Sequence, residues 1–187
     1  MPYRRLPNTD QARIRALTQA VEKGNEHTMH DLVISLNTLA EARSFLRKFV
    51  TAQSYYKQCF DNQATSSRAH QPNVKMARLY VSHFIQVLNM SVQRSEIKKS
   101  YKDWYGLEPD NYNVPDLMTE SAIAEWGAKI LAGEHKRTSH GGTPIYNPTI
   151  AKVKVHFDIF MEGYERQKNL QSITSRSLER LAEMRPE

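Results

Sequence analysis

The longest apolar repeat in the chain lies between Thr149 and Met184, with the sequence TIAKVKVHFDIFMEGYERQKNLQSITSRSLERLAEM. Between Ile150 and Tyr164 its apolar residues recur at intervals of three and four, which is the period of one face of an α-helix. Pro148 directly precedes the repeat and favours a helix start at Thr149. The stretch therefore predicts one long helix with a coiled-coil-like pattern. Its apolar stripe consists of Ile150, Val153, Phe157, Phe160, Tyr164, Leu170, Ile173, Leu178 and Leu181.

Four more segments of the chain carry the helical period. Thr119 is placed to cap one of them, and the Gly24-Asn25 step is placed to end another. Residues 62–72 are rich in Ser, Thr, Asn and Gln and predict a connection between two helices. All five helices predict an all-α fold, a mainly antiparallel bundle in one domain of residues 1–187 with two long ordered loops. The four further helices are expected at residues 9–23, 29–63, 73–94 and 119–136.

Composition places the chain among ordinary globular proteins. Of its 187 residues, 40% are hydrophobic and 25% are charged, so it has the material for a core and is not a disordered chain. The single cysteine, Cys59, excludes an intramolecular disulfide and is expected to be a buried structural thiol rather than a nucleophile. The first residues lack the apolar core of a signal peptide, and no stretch approaches about 20 apolar residues. We therefore expect a cytoplasmic protein without a membrane segment.

The histidines do not form the usual metal motifs of helical bundles. A di-iron carboxylate bundle needs Glu-x-x-His, and none of the seven histidines has Glu three positions before it. His27 and His30 form a His-x-x-His pair that His83 or His156 could complete. Because no third ligand lies at local spacing, we favour a pair that caps a helix start in solvent. We expect no metal site and no cofactor.

The two loops, residues 100–116 and 137–148, are long for a compact domain, and loops of this length often carry function. In the second loop, the Gly141-Gly142 pair would let backbone N–H groups approach an anion closely. The pair matches neither a P-loop nor a dinucleotide-binding fingerprint, and a flexible turn between helices is the favoured alternative. If the two loops meet, they would form a small-ligand site. Its candidate residues are His140, Gly141, Gly142, Tyr146, Trp104 and Tyr105.

A net charge of +6 is compatible with a nucleic-acid partner but does not identify one. Lysines between residues 98 and 102 alternate with aromatic residues, a pattern in which rings stack on bases while ammonium groups meet phosphates. Acidic residues in the same loop weaken this interpretation, and the aromatics can instead pin the loop across the bundle. The candidate nucleic-acid-binding residues are Arg68, Lys75, Arg78, Lys98, Lys99 and Lys102.

Four stretches of the chain carry a resemblance to other proteins: PYRRLPNTDQARIRAL at 2–17, ARLYVSHFIQVLNM at 77–90, WYGL at 104–107 and GGTPIYNPTIAKVKVHFDIF at 141–160. They resemble a family of uncharacterised proteins from Bacteroidetes. The resemblance spans most of the chain and implies a bacterial cytosolic protein. It implies no activity, substrate or catalytic residue.

Long helices without a coherent catalytic constellation favour a non-enzymatic interaction or scaffold module. Such a module would form a homo-oligomer or bind a protein partner, and the end of the last helix, after Gln167, is a candidate docking segment. Two alternatives stay open. One is a basic helical protein associated with nucleic acid, and the other is a small-ligand binder or enzyme that uses the Gly141-Gly142 loop.

Overall fold

The computed structural model describes residues 7–26 and 34–185. Every regular element in these two ranges is helical, which confirms the predicted all-α fold. Each helix of the described residues is too short or too polar to form a membrane span. In chain order the elements are α1 (Asp10–Glu26), α2 (Leu36–Gln93), a 3₁₀ helix (Lys99–Tyr105), α3 (Glu120–Ser139) and α4 (Ile150–Glu183).

Two local predictions at helix ends have different outcomes. Thr119 caps α3 as predicted, because its hydroxyl accepts a hydrogen bond from the Ala122 amide at 3.1 Å. The predicted end of the first helix at Gly24 is wrong, since α1 continues to Glu26. A Cβ at Gly24 would lie 2.6 Å from a methyl carbon of Leu39, so this glycine permits close packing rather than ending the helix. The predicted His27–His30 pair lies outside the described residues.

α2 is one helix of 58 residues, whereas the sequence predicts two helices joined by a connection at 62–72. The polar stretch is helical because one of its faces is buried. His70, Val74 and Ala77, at spacings of four and three, are almost inaccessible to solvent. Pro72 has no N–H to donate to the carbonyl one turn earlier in the helix. Because Pro72 is exposed, water can reach the backbone at this point. Tertiary packing here overrides local propensity.

The predicted single domain is organised as two compact units. Unit 1 consists of Met1–Ala64 and Asn169–Glu187, and unit 2 consists of Thr65–Lys168. α2 and α4 each contribute one part to unit 1 and another part to unit 2.

Unit 2 contains the large core. α2, α3 and α4 pack together there, and Val153, Phe157 and Phe160 of the predicted stripe on α4 are buried. Two glycines permit the close approach of the helices: a Cβ at Gly127 would overlap the Phe157 ring, and one at Gly163 would overlap the His70 ring. The central residues of this core are Val81, Phe84, Leu88, Tyr105, Ile123, Ile130, Val153 and Phe160.

Unit 1 combines α1 with the first part of α2 and the last part of α4. Arg185 donates two hydrogen bonds to the Asp10 carboxylate, at 2.9 and 2.8 Å, and these bonds hold the pKa of Asp10 below its usual range. The core is small among the described residues of this unit. Its buried apolar side chains are Val21, Leu39, Phe49, Cys59 and Leu181.

Candidate functional site

The two long loops predicted from the sequence meet in unit 2. The ring centroids of Trp104 and His140 are 5.1 Å apart, and Lys136 Nζ lies 4.9 Å from the Trp104 ring centroid. A cavity of about 690 Å³, which we call the loop cavity, opens beside this contact. Four of the predicted ligand-site residues line it, while Trp104 contacts the lining residue His140 with its ring tilted and Tyr105 is fully buried. The four are His140, Gly141, Gly142 and Tyr146.

The Gly141-Gly142 pair ends α3. The Gly141 amide donates to the Thr138 carbonyl and the Gly142 amide donates to the Arg137 carbonyl, both at 3.0 Å. Gly141 has φ of +86°, the left-handed conformation that glycine adopts readily after a helix. Both amides are therefore occupied by the helix end and are not free to cradle an anion. The arrangement is the turn between two helices that the sequence offered as the alternative.

Behind this turn lies a buried ion pair, Arg137 and Glu134, which the sequence analysis does not predict. The side chains of Arg137 and Glu134 are 3% and 1% exposed. Arg137 Nη2 and Nε donate to the two carboxylate oxygens of Glu134, at 2.8 and 3.0 Å. The Tyr105 hydroxyl donates to Glu134 and accepts from Arg137 Nε at 2.8 Å. The 3₁₀ helix, which carries Tyr105, is thereby joined to α3 by charge-assisted hydrogen bonds.

The same pair also fixes the loop that follows α3. Glu134 Oε1 accepts a hydrogen bond from the Ile145 amide at 3.1 Å, and Arg137 Nη2 donates to the Thr143 carbonyl at 2.8 Å. One wall of the loop cavity is therefore held by a buried ion pair and does not depend on loop packing alone. A sequence signal existed: Glu134 and Arg137 continue the apolar stripe of Ile130 at spacings of four and three.

The burial of Tyr105 produces a dependence of stability on alkaline pH. Burial, and then the hydrogen bond to Glu134, raise the pKa of the Tyr105 hydroxyl far above its ordinary value. The folded protein keeps this proton above about pH 10, where the unfolded chain loses it. Because the unfolded state then binds fewer protons, this contribution to the free energy of unfolding falls as the pH rises above about 10, by up to about 1.4 kcal/mol per pH unit.

We expect the Tyr105→Phe variant to lack this contribution, and denaturant unfolding of both proteins across alkaline pH measures it. Below about pH 10 the difference in unfolding free energy between the two proteins should be constant. Above it, the wild type should lose stability more steeply than the variant. Parallel curves through the whole range would contradict the raised pKa.

The structure uses three of the six predicted nucleic-acid-binding residues internally. Arg78 donates to the carbonyls of Leu117 and Met118, and Lys99 pairs with Asp110. Lys102 is fully buried, and its Nζ donates to the Asn111 carbonyl at 2.5 Å. Lys102 as a phosphate contact is therefore wrong, because its ammonium group closes the loop and does not reach solvent. Arg68, Lys75 and Lys98 are exposed.

Unit 1 contains a second concave feature, a groove of about 750 Å³ between α2 and α4. Tyr55 lines this groove and also a smaller cavity of about 190 Å³ that Cys59 and Ile173 help to form. The concave surface therefore continues along both helices, and we call it the α2–α4 groove. Its larger part is lined by Arg47, Lys48, Thr51, Ala52, Tyr55, Ser177, Arg180, Glu183 and Met184.

The cysteine and two further histidines are also candidate site residues, and each lies outside the polar contacts of the two concave surfaces or has a packing role. Cys59 is buried and free, as expected for a structural thiol. His83 is exposed, and the ring of His156 stacks on Tyr80 with centroids 4.2 Å apart. Within residues 7–26 and 34–185, no three His, Cys, Asp or Glu side chains are grouped so that they could hold a metal ion.

Comparison with family models, with curated proteins and with solved structures finds no match to this chain. The resemblance to the Bacteroidetes family stays a prediction.

Proposed function

We propose that this protein is a non-enzymatic interaction module of the bacterial cytoplasm. Unit 1 binds an acidic amphipathic helix of a partner protein in the α2–α4 groove. The observation that supports this proposal is an incompletely covered pair of helices. Apolar side chains that line the groove on both helices are half exposed: Tyr55 is 50% and Ile173 is 42% accessible. α1 does not cover this side of the pair, since none of its described residues lines the groove, and a further helix is the usual way in which a bundle covers such a surface.

The spacing of the groove residues fits a helical partner. On α2, residues 48, 52, 55 and 59 line the concave surface, at intervals of four, three and four. On α4, residues 173, 177 and 180 line it at intervals of four and three, and Met184, in the turn after the helix, continues this spacing. This alternation is the seam of coiled coils and helical bundles, where side chains of an incoming helix insert between those of the resident helices. The groove is therefore suited to a helix rather than to an extended strand.

The charge of the groove selects the partner. Arg47, Lys48 and Arg180 line it and form no ion pair within the described part of the chain, while Glu183 is its single lining carboxylate. A helix with acidic flanks would complement these cations. A second copy of the chain fits less well, because a two-fold interface joins the groove to its own copy, and each copy has three cations for the single carboxylate of Glu183. The apolar side chains of the groove, such as Ala52, Tyr55 and Ile173, also favour a protein partner over a polyanion, which is bound by cations without them.

A pair of designed peptides tests the proposal with the full-length protein. Both peptides are amphipathic helices of about four turns with leucine seams, one flanked by glutamate and the other by lysine. We expect fluorescence anisotropy to show binding of the acidic peptide that weakens with salt, and much weaker binding of the basic peptide. The double variant Arg47→Glu, Arg180→Glu should weaken binding of the acidic peptide by about tenfold or more.

Lys152→Glu is the matched control, since Lys152 is an exposed lysine of α4 within unit 2. This variant should bind the acidic peptide as the wild type does. Equal binding of both peptides, or no effect of the double variant, would contradict the proposal. A particle of twice the 21.6 kDa chain mass that the double variant abolishes would assign the groove to self-association instead.

A further inference from the structure

The loop cavity carries a donor that the protein itself does not satisfy. The Arg137 guanidinium has five N–H donors, and its Nε and Nη2 are occupied by Glu134, Tyr105 and the Thr143 carbonyl. Nη1 makes no hydrogen bond with any described residue. It lies at the cavity wall beside Gly142, where a Cβ would be 2.8 Å from it. Nη1 of this nearly buried guanidinium is not itself enclosed by the protein, so an acceptor that enters the cavity can reach it.

The other polar groups of the cavity favour the same kind of acceptor. Lys98 lines the cavity and has no ion pair among the described residues, whereas Arg94 and Glu96 neutralise each other at 3.0 Å. His140 also lines the cavity, and its Nδ1 lies 2.8 Å from the Lys136 carbonyl. That contact requires Nδ1 to be the donor, so Nε2 of the neutral ring is an acceptor and suits a hydroxyl group of a ligand, not its oxyanion. The lining is thus positive overall, and its ligand contacts come from side chains.

Size and polarity define the class of ligand. A volume of about 690 Å³ is larger than a simple ion requires and is within the range of small-molecule sites. We propose that the loop cavity binds a small polar molecule through an oxyanion, a carboxylate or a phosphate ester, held by Arg137 Nη1 and Lys98, while His140 Nε2 accepts a hydrogen bond from a hydroxyl group of the same ligand. Because Glu134 already occupies the fork of Arg137, this residue offers one nitrogen to one ligand oxygen. Lys98 supplies the mobile countercharge.

Nuclear magnetic resonance titration of the ¹⁵N-labelled full chain tests this site. The probes are inorganic phosphate and succinate, with sodium chloride at matched ionic strength as the reference. We expect saturable shifts of the Thr143, Ile145 and Tyr146 amides with at least one probe. Shifts with phosphate alone assign a phosphate ester, shifts with succinate alone assign a carboxylate, and shifts with both assign a general oxyanion site.

Two variants distinguish the cavity from general surface binding. Lys98→Ala should raise the Kd of the responding probe by about fivefold, the loss expected for one partly exposed ion pair. Gly142→Ala places a methyl group against Nη1 and should abolish the saturable shifts. Lys152→Ala removes an exposed lysine elsewhere in unit 2 and should leave Kd unchanged. No saturable shift with either probe, or a Kd that Lys98→Ala does not change, would overturn the proposal.

Discussion

Replacement of Glu134 by alanine should lower the free energy of unfolding by about 3–5 kcal/mol, the loss expected when one partner of a buried ion pair is removed. Arg137 would remain charged with its side chain 3% exposed, and both the Tyr105 hydroxyl and the Ile145 amide would lose their acceptor. A domain of this size is stable by about 5–15 kcal/mol, so the variant would be close to the limit of folding. Denaturant unfolding followed by circular dichroism measures the loss.

Two further variants separate the ion pair from a general sensitivity of α3. Glu125→Ala removes an exposed carboxylate that pairs with Lys129 on the same helix, and should change stability by less than about 0.5 kcal/mol. The double variant Glu134→Leu, Arg137→Met should recover much of the loss, because an apolar pair of similar volume leaves no charge unpaired. A Glu134→Ala variant within about 1 kcal/mol of the wild type would contradict the role of the pair.

Periodicity predicted the core well because it reports which face of a helix is buried. Val81, Phe84 and Leu88 on α2, and Val153 and Phe157 on α4, are buried as their spacing indicates. A cap is equally local, since the hydroxyl of a cap residue bonds to an amide three residues away. These features depend on a few neighbouring residues, so the sequence contains the information that determines them.

The continuity of α2 could not be predicted in the same way. Pro72 and its polar neighbours are typical of a connection when they are considered alone. What keeps this stretch helical is a contact from elsewhere in the chain: His70 stacks on Phe160, with ring centroids 5.6 Å apart, against the space left by Gly163. The partner is about 90 residues away in sequence, and its position follows only from the tertiary structure.

At the loop cavity, too, some residues could be predicted from the sequence and others could not. The loops that carry Trp104 and His140 were identified from their length and composition, and they do meet. Glu134 and Arg137, which hold the wall of the cavity, were not identified, because two charges near a helix end are usually solvated. Their burial depends on Tyr105, which lies about 30 residues earlier and completes the hydrogen bonds of the pair.

The position that allows Tyr105 to reach this pair is Gly133 on α3. A Cβ there would lie 2.6 Å from Tyr105 Cδ1 and 2.8 Å from the backbone oxygen of Trp104. Tyr105 is fully buried and a backbone oxygen cannot rotate away, so neither contact is easily relieved. A larger side chain would improve the helix propensity by up to about 1 kcal/mol, but overpacking costs about 1–3 kcal/mol and strain against backbone lies at the upper end.

We therefore expect Gly133→Val to lower the free energy of unfolding by about 3 kcal/mol, measured by denaturant unfolding. Ala132→Val is the control, since Ala132 is the exposed neighbour on the same helix and should lose less than about 1 kcal/mol. Near-ultraviolet circular dichroism should change for Gly133→Val alone, because the 3₁₀ helix that carries Trp104 and Tyr105 must move away from α3. Equal losses in the two variants would mean that α3 tolerates a side chain at this contact. The 3₁₀ helix would then be held by the ion pair and not by close packing.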